Sequence, residues 1–289
     1  MVLFLDLDFK AKTKINLVAF YRNLACMKNL LCLFLFFQMG TVSCQEKKWL
    51  ATKIDTLQFQ ADSFIGFDTF GAYYYIKNNV LIKKNKTKTW QYKNLSLNKI
   101  SKVDLQNPLN LVVFYENFNT VVLLDNQLNE IQKINFSENT IPILATATGL
   151  AFGNRLWIYN SLAQQIGLYD YLKSEFKTIT VPFIGNIKPY DTNYNYFQWI
   201  DENQNWSRCN IFGKVTVLGK VPEFDLIQAI SDSEIVYKKG DTLYYYTLNG
   251  NKTTIIHFNE KTFESFYYKD QILSIFTFKG ITNYKITIP

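Results

Sequence analysis

The chain has 289 residues, 48 % of them apolar and 17 % aromatic, which supplies ample material for a large core and excludes intrinsic disorder. Its net charge is +7, but residues 1–43 carry five basic and two acidic side chains, and without them 26 basic residues face 22 acidic ones (31 less 5, 24 less 2). That balance suits solubility and weak attraction to anionic surfaces and excludes a nucleic-acid footprint. With 24 Phe, 19 Tyr, 6 Pro and 12 Gly, the composition favours strands over helices.

In chain order, the first recognisable element is the apolar run Leu30–Phe37, too short to cross a bilayer of about 30 Å as a helix. Lys28 precedes it, and Gly40, Thr41, Val42 and Ser43 follow. Charge, short apolar core and small-residue end together predict a secretory signal peptide. Met27 stands where such a peptide starts, so residues 1–26 read as a non-native extension, 27–44 as the signal and 45–289 as a single domain. Mass spectrometry of the native N-terminus checks this; a peptide from Asp6–Lys10 overturns it. Two readings of the cleavage stand. Val42 and Cys44 permit ordinary cleavage before Gln45, whereas Thr41-Val42-Ser43-Cys44 resembles a bacterial lipobox with an acylated Cys44, which tethers the protein to a leaflet without embedding it. Cys26 and Cys32 leave with the signal, so Cys209 alone remains in the fold and no intramolecular disulfide is expected. Cys209 lies in an alternating strand and reads as a small buried hydrophobe.

From Trp49 onward the chain repeats. Six segments of apolar strand, polar turn and charged strand start at Val80, Val121, Gln165, Arg208, Thr242 and Asn283, with successive spacings of 41, 44, 43, 34 and 41 residues. A period of about 40–45 residues with four short strands per unit is the mark of a β-propeller blade. The units fall at roughly 59–98, 99–139, 140–182, 183–222, 223–258 and 262–289. In the first, Ala72–Ile76 reads as the inner strand, followed by Val80–Lys84 and Lys88–Tyr92. In the second, Leu111–Tyr115 is continuously apolar, as expected of a strand covered on both faces by neighbouring blades. The last unit has room for only three strands, and Trp49–Ile54 can supply the fourth. Pairing first and last strands closes the ring and removes its edges. The predicted fold is therefore all-β, a propeller of about six blades (seven if 183–222 divides further), closed by its N- and C-terminal strands.

Catalytic chemistry finds little support. His257 is the one histidine and Cys209 the one cysteine of the fold, which excludes zinc and copper clusters. No Gly-x-Ser-x-Gly elbow, P-loop or Gly-x-Gly-x-x-Gly loop occurs. Asp201-Glu202 and the group Asp225, Asp232 and Glu234 could hydrolyse a glycoside if two faced each other, but they read as solvated turn acids. No cofactor is expected. Candidate binding features are the aromatics Tyr194, Tyr196, Trp199 and Trp206, which could stack on sugars or partner side chains. Trp90 and Trp157 could serve in the same way, although most propeller tryptophans pack between blades, and that reading applies to all four of these tryptophans. The other candidate is a basic docking patch, Lys83, Lys84, Lys86 and Lys88, the only dense basic run.

The stretch Asn107–Asn126, with its Leu-Val-Val-Phe-Tyr and Val-Val-Leu-Leu-Asp strands, resembles exported six- or seven-bladed propellers of bacteria with type 9 secretion. That family includes the plug component that seats against the periplasmic mouth of the translocon barrel. The resemblance implies a rigid ring that docks or occludes, located in the periplasm or on the periplasmic face of the outer membrane of a Gram-negative bacterium. It implies a large outer-membrane β-barrel as partner and contributes no catalytic residues. The expected function is a non-enzymatic protein-interaction module that meets the membrane only through a partner or a lipid anchor. The alternatives are a propeller that binds carbohydrate or peptidoglycan fragments, and a carboxylate-based glycoside hydrolase or lyase.

Overall fold

The computed structural model describes residues 49–185 and 187–287; the signal segment and Cys44 lie outside them. Six four-stranded antiparallel blades stand around a central axis. Blade 1 comprises β2 (Ser63–Phe67), β3 (Tyr73–Lys77), β4 (Val80–Lys84) and β5 (Thr89–Tyr92). Blade 2 comprises β6 (Lys102–Asp104), β7 (Leu111–Tyr115), β8 (Thr120–Leu124) and β9 (Glu130–Asn135). Blade 3 comprises β10 (Ala145–Ala151), β11 (Arg155–Asn160), β12 (Gln165–Asp170) and β13 (Glu175–Thr178), and blade 4 comprises β14 (Tyr190–Thr192), β15 (Tyr196–Ile200), β16 (Asn205–Asn210) and β17 (Val215–Lys220). Blade 5 comprises β18 (Leu226–Ala229), β19 (Glu234–Lys239), β20 (Thr242–Thr247) and β21 (Lys252–His257). Blade 6 combines β22 (Ser265–Lys269), β23 (Ile272–Thr277) and β24 (Gly280–Thr287) with β1 (Trp49–Gln58). Each of the six repeated segments lies in the third strand of its blade.

The N-terminal strand closes the ring as its sequence predicts. β1 runs antiparallel to β24 from Leu50↔Thr287 to Gln58↔Gly280, with a register shift between Lys53 and Asp55. It also pairs in parallel with β21 through Trp49↔Ile256 and Leu50↔His257. Blades 5 and 6 are thereby fused into one eight-stranded sheet. Trp49 is buried and stacks on Tyr245 at 3.9 Å.

The assignment of Ala72–Ile76 as an inner strand is corrected. β2 lies inside it, and β3 is the second strand of its blade. Innermost strands β6, β14 and β18 likewise have no counterpart in the sequence pattern. They hold three or four residues each, too few to display a period.

The core is a ring of interblade layers. β7 shows why a propeller strand is apolar throughout: Leu111, Val113 and Tyr115 pack on blade 1, while Val112 and Phe114 pack on blade 3. All five are buried, each contributing about 1.5–3 kcal/mol of apolar burial. Equivalent layers join blades 3 and 4, 4 and 5, 5 and 6, and 6 and 1.

Because strands alternate in direction, the turns from first to second and from third to fourth strand gather on one face. The remaining connections gather on the other. Asx caps shape the first set. The Asp125 carboxylate accepts from the backbone N–H of Gln127 and Asn129 and from the Asn129 amide. Asp170, Asn193 and Asn210 cap their own turns in the same manner.

Candidate functional site

The predicted basic patch divides. Lys83 leaves it: the residue is 5 % exposed, its ammonium lies 3.4 Å from the Asp68 carboxylate, and it donates to the Asn126 carbonyl of blade 2 at 2.9 Å. The Tyr74 and Trp90 rings flank it. Lys83 sits in β4 at a position facing blade 2, so its long stem carries the charge inward to a buried acceptor. Asp68 also accepts from the Phe70 and Ala72 N–H groups and from the Tyr74 hydroxyl. Lys84, Lys86 and Lys88 are exposed around the β4–β5 turn.

The aromatic set divides in the same way. Trp206 is 1 % and Trp199 6 % exposed, which corrects their assignment to a solvent-facing platform. Trp199 stacks on Phe183 at 5.1 Å, and Trp206 packs with Ile235, Tyr237 and Tyr246 of blade 5. Tyr196 is half-buried under the Arg208 guanidinium, 4.1 Å from its ring centre. Tyr194 alone of the four is exposed, at the β14–β15 turn. Trp157 is fully buried, and Trp90 is half-buried.

The carboxylates singled out by the sequence serve turns or ion pairs. Asp201 accepts from the N–H groups of Asn203 and Asn205 and from the Asn205 amide. Asp225 accepts from the Gly240 N–H, Asp232 pairs with Arg208 at 2.6 Å, and Glu234 accepts from Ser231 and Tyr245. His257 is exposed on outer strand β21. Cys209 is free and buried, and burial pushes its thiol up to about 12. Among the described residues no group of three His, Cys, Asp or Glu side chains is placed to hold a metal, and no helix is long and apolar enough to cross a membrane.

Large apolar residues are exposed on the face opposite the capped turns too, among them Leu95, Leu162, Val181, Ile184 and Phe278; two surfaces bear on function. The first is the face carrying the capped turns. Phe70, Leu109, Phe152 and Tyr194 project from the first-to-second-strand turns of blades 1 to 4, and Leu172 and Phe212 from the outer turns of blades 3 and 4; Phe212 is 84 % and Phe70 71 % exposed. Lys84, Lys86, Lys88, Lys173 and Lys214 stand exposed beside them. The neighbouring acids Asp68, Asp125 and Asp170 cap backbone N–H groups, and among the described residues these lysines make no ion pair. The Asx rule makes the turns legible in the sequence; the apolar tips are single residues in polar loops, and their recurrence at the blade period shows only once the turns are placed.

The second is the central channel, a cavity of about 560 Å³ bounded by the inner strands of blades 1, 2, 4, 5 and 6. Inner strands leave one row of backbone groups without a strand partner, and side chains staple that row from blade to blade. Asp104 accepts from the Leu150 N–H at 2.8 Å and Gln106 donates to the Leu150 carbonyl. The Tyr190 hydroxyl accepts from the Thr148 N–H. Gln228 both donates to the Tyr268 carbonyl and accepts from its N–H. Lys102 donates to the Tyr190 carbonyl at 3.1 Å, lies 3.7 Å from its ring centre and is 3.9 Å from Asp191. Burial raises the Asp104 pKa above the usual carboxylate range, against the two N–H groups it accepts from.

No protein-family model matches the chain, and no curated protein sequence matches it. Solved β-propellers do. The β-propeller domain of Myceliophteria thermophila Cps50 (Swd1) is 9 % identical, with a TM-score of 0.54 over 82 % of this chain and 100 % of that one. Virginiamycin B lyase from Staphylococcus aureus is 11 % identical, with a TM-score of 0.52 over 78 % of this chain and 80 % of that one. PorZ, a surface component of the type-IX secretion system of Porphyromonas gingivalis, is 12 % identical over 77 % of this chain and 31 % of that one, with a TM-score of 0.44. At these identities the first two likenesses show the propeller fold and nothing of function, and the third carries no argument.

Proposed function

We propose that the protein is a non-catalytic docking propeller of the cell envelope that seats its capped-turn face on another envelope protein. The observation that carries this is the row of exposed apolar tips, Phe70, Leu109, Phe152 and Tyr194, repeated at the same turn of four consecutive blades. Exposed aromatics supply binding energy at the centre of protein interfaces. Tips held by capped turns on a rigid ring lose little freedom on binding. The exposed lysines beside them favour an acidic partner surface and speed encounter at low salt. The resemblance of Asn107–Asn126 to exported propellers of type 9 secretion suggests the mouth of a large outer-membrane barrel as that partner. Catalysis has no part in this proposal, because Asp201, Asp225, Asp232 and Glu234 are engaged in turns and ion pairs.

The test is co-purification from detergent-solubilised envelopes after mild crosslinking. The wild type and Phe278→Ser, on the opposite face, should recover one dominant partner. Phe152→Ser/Phe212→Ser should reduce recovery about tenfold or more, the loss of at least one strong contact. Recovery of the wild type as free monomer only would sink the proposal.

A further inference from the structure

The channel holds two populations of polar side chains. Asp104, Gln106, Gln228 and Lys102 are committed to the backbone staples. The other four are not. Among the described residues, the side chains of Gln198 and Lys269 make no hydrogen bond or ion pair, the Asp191 carboxylate has only Lys102 at 3.9 Å, and the Tyr267 hydroxyl has only the Phe67 carbonyl at 3.5 Å. Asp191 and Gln198 are cross-strand partners on blade 4. Tyr267 and Lys269 lie on inner strand β22 of blade 6. All four line the one cavity.

We propose that this channel binds a small zwitterion, a free apolar amino acid or a short apolar peptide, with Asp191 and Gln198 receiving its ammonium group and Lys269 and Tyr267 its carboxylate. The charges decide the class. Lys102 and Asp104 are engaged by the Tyr190 carbonyl and the Leu150 N–H, which leaves Asp191, 3.9 Å from Lys102, and Lys269 as the acid and base open to a ligand. A simple anion meets Asp191 and a simple cation meets Lys269, while a neutral sugar leaves both unmatched. Ile227, Phe266 and Trp206 give the same cavity an apolar wall, suited to an aliphatic side chain. About 560 Å³ lies within the usual range for small-ligand pockets, roughly 300–1,000 Å³.

Tyr267 is built into place. Its ring lies on Gly66, whose φ is +148° and where a Cβ would come within 2.7 Å of the ring; a register shift between Phe64 and Gly66 turns the strand there. Burial first, then the charges of Asp191 and Asp270, push its phenol up to about 12.

Thermal unfolding of the purified protein with defined probes tests this. L-leucyl-L-leucine at about a hundred times its dissociation constant should raise Tm by roughly 5–10 °C. N-acetyl-L-leucine and L-leucinamide, each lacking one pole, should give less than a third of that shift. Asp191→Asn and Lys269→Gln, at side chains that cap no backbone group, should keep the unliganded Tm and abolish the dipeptide shift. No shift with leucine or the dipeptide overturns the proposal. An equal shift with N-acetylglucosamine, or a shift that survives both substitutions, does so too.

Discussion

Asp68 and Lys83 show how a surface motif becomes a core device. Both side chains are almost wholly buried, at 0 % and 6 % exposed, and removing one partner of such a pair leaves a stranded charge. Asp68→Ala should therefore destabilise the protein by about 3–5 kcal/mol, with the turn cap lost as well. Lys83→Met should cost roughly 1 kcal/mol, because Asp68 keeps three hydrogen-bond donors. Equal losses for the two variants in urea unfolding would show that the pair, not the capped turn, dominates. The sequence marks Lys83 as one of a basic run, and only the position of blade 2 reveals that its side chain turns inward while Lys84, Lys86 and Lys88 remain outside. Trp199 and Trp206 follow the same logic. Their neighbours Asn195, Gln198 and Asn205 look like a wet rim, yet alternation sends both indoles into interblade layers.

At the scale of elements, most third strands were legible as apolar runs followed by a turn, β16 (Asn-Trp-Ser-Arg-Cys-Asn) being the least apolar, and the spacing of the repeated segments already counts the blades. The closing strand was legible by elimination, since the last unit lacks one strand. The innermost strands were not: Lys102–Asp104 and Tyr190–Thr192 are three residues long and half polar, because their side chains staple backbone across the channel. Of the uncommitted channel groups, Asp191 lies on one of these strands and Gln198 beside it, whereas Tyr267 and Lys269 lie on the five-residue β22; only the assembled channel brings the four together. Trp49 tests the closure. It is buried between blades 5 and 6, and Trp49→Ala should cost about 3–5 kcal/mol. A Tm unchanged by that substitution would mean that β1 does not close the ring in solution.

The whole molecule is rich in buried phenols. Tyr74, Tyr92, Tyr115 and Tyr284 are 6 % exposed or less, and burial, together with acceptor carboxylates at Asp68, Glu130 and Glu260 for three of them, raises each pKa above the ordinary 10. The folded state holds these protons more tightly than the unfolded chain. Their stabilising contribution is complete below pH 10 and is lost as pH rises through the folded values, with Tyr115 at about 12. Stability should fall above pH 10 by up to about 1.4 kcal/mol per pH unit for each such tyrosine. After the exposed phenols have ionised, the last tyrosinate absorbance should appear together with the circular dichroism change in one cooperative alkaline transition; complete tyrosine ionisation with the circular dichroism signal still native would contradict it.

The seam between blades 5 and 6 also sets how the ring carries mechanical load. β1 is held along its length by β24 and at its start by β21. Tension applied at Trp49 along the strand axis therefore strains these rungs in parallel, as a shear, and does not peel them one at a time. An anchor joined at that end would pull on the strongest line of the closure, so a protein held there could bear a tugging partner without the ring springing open.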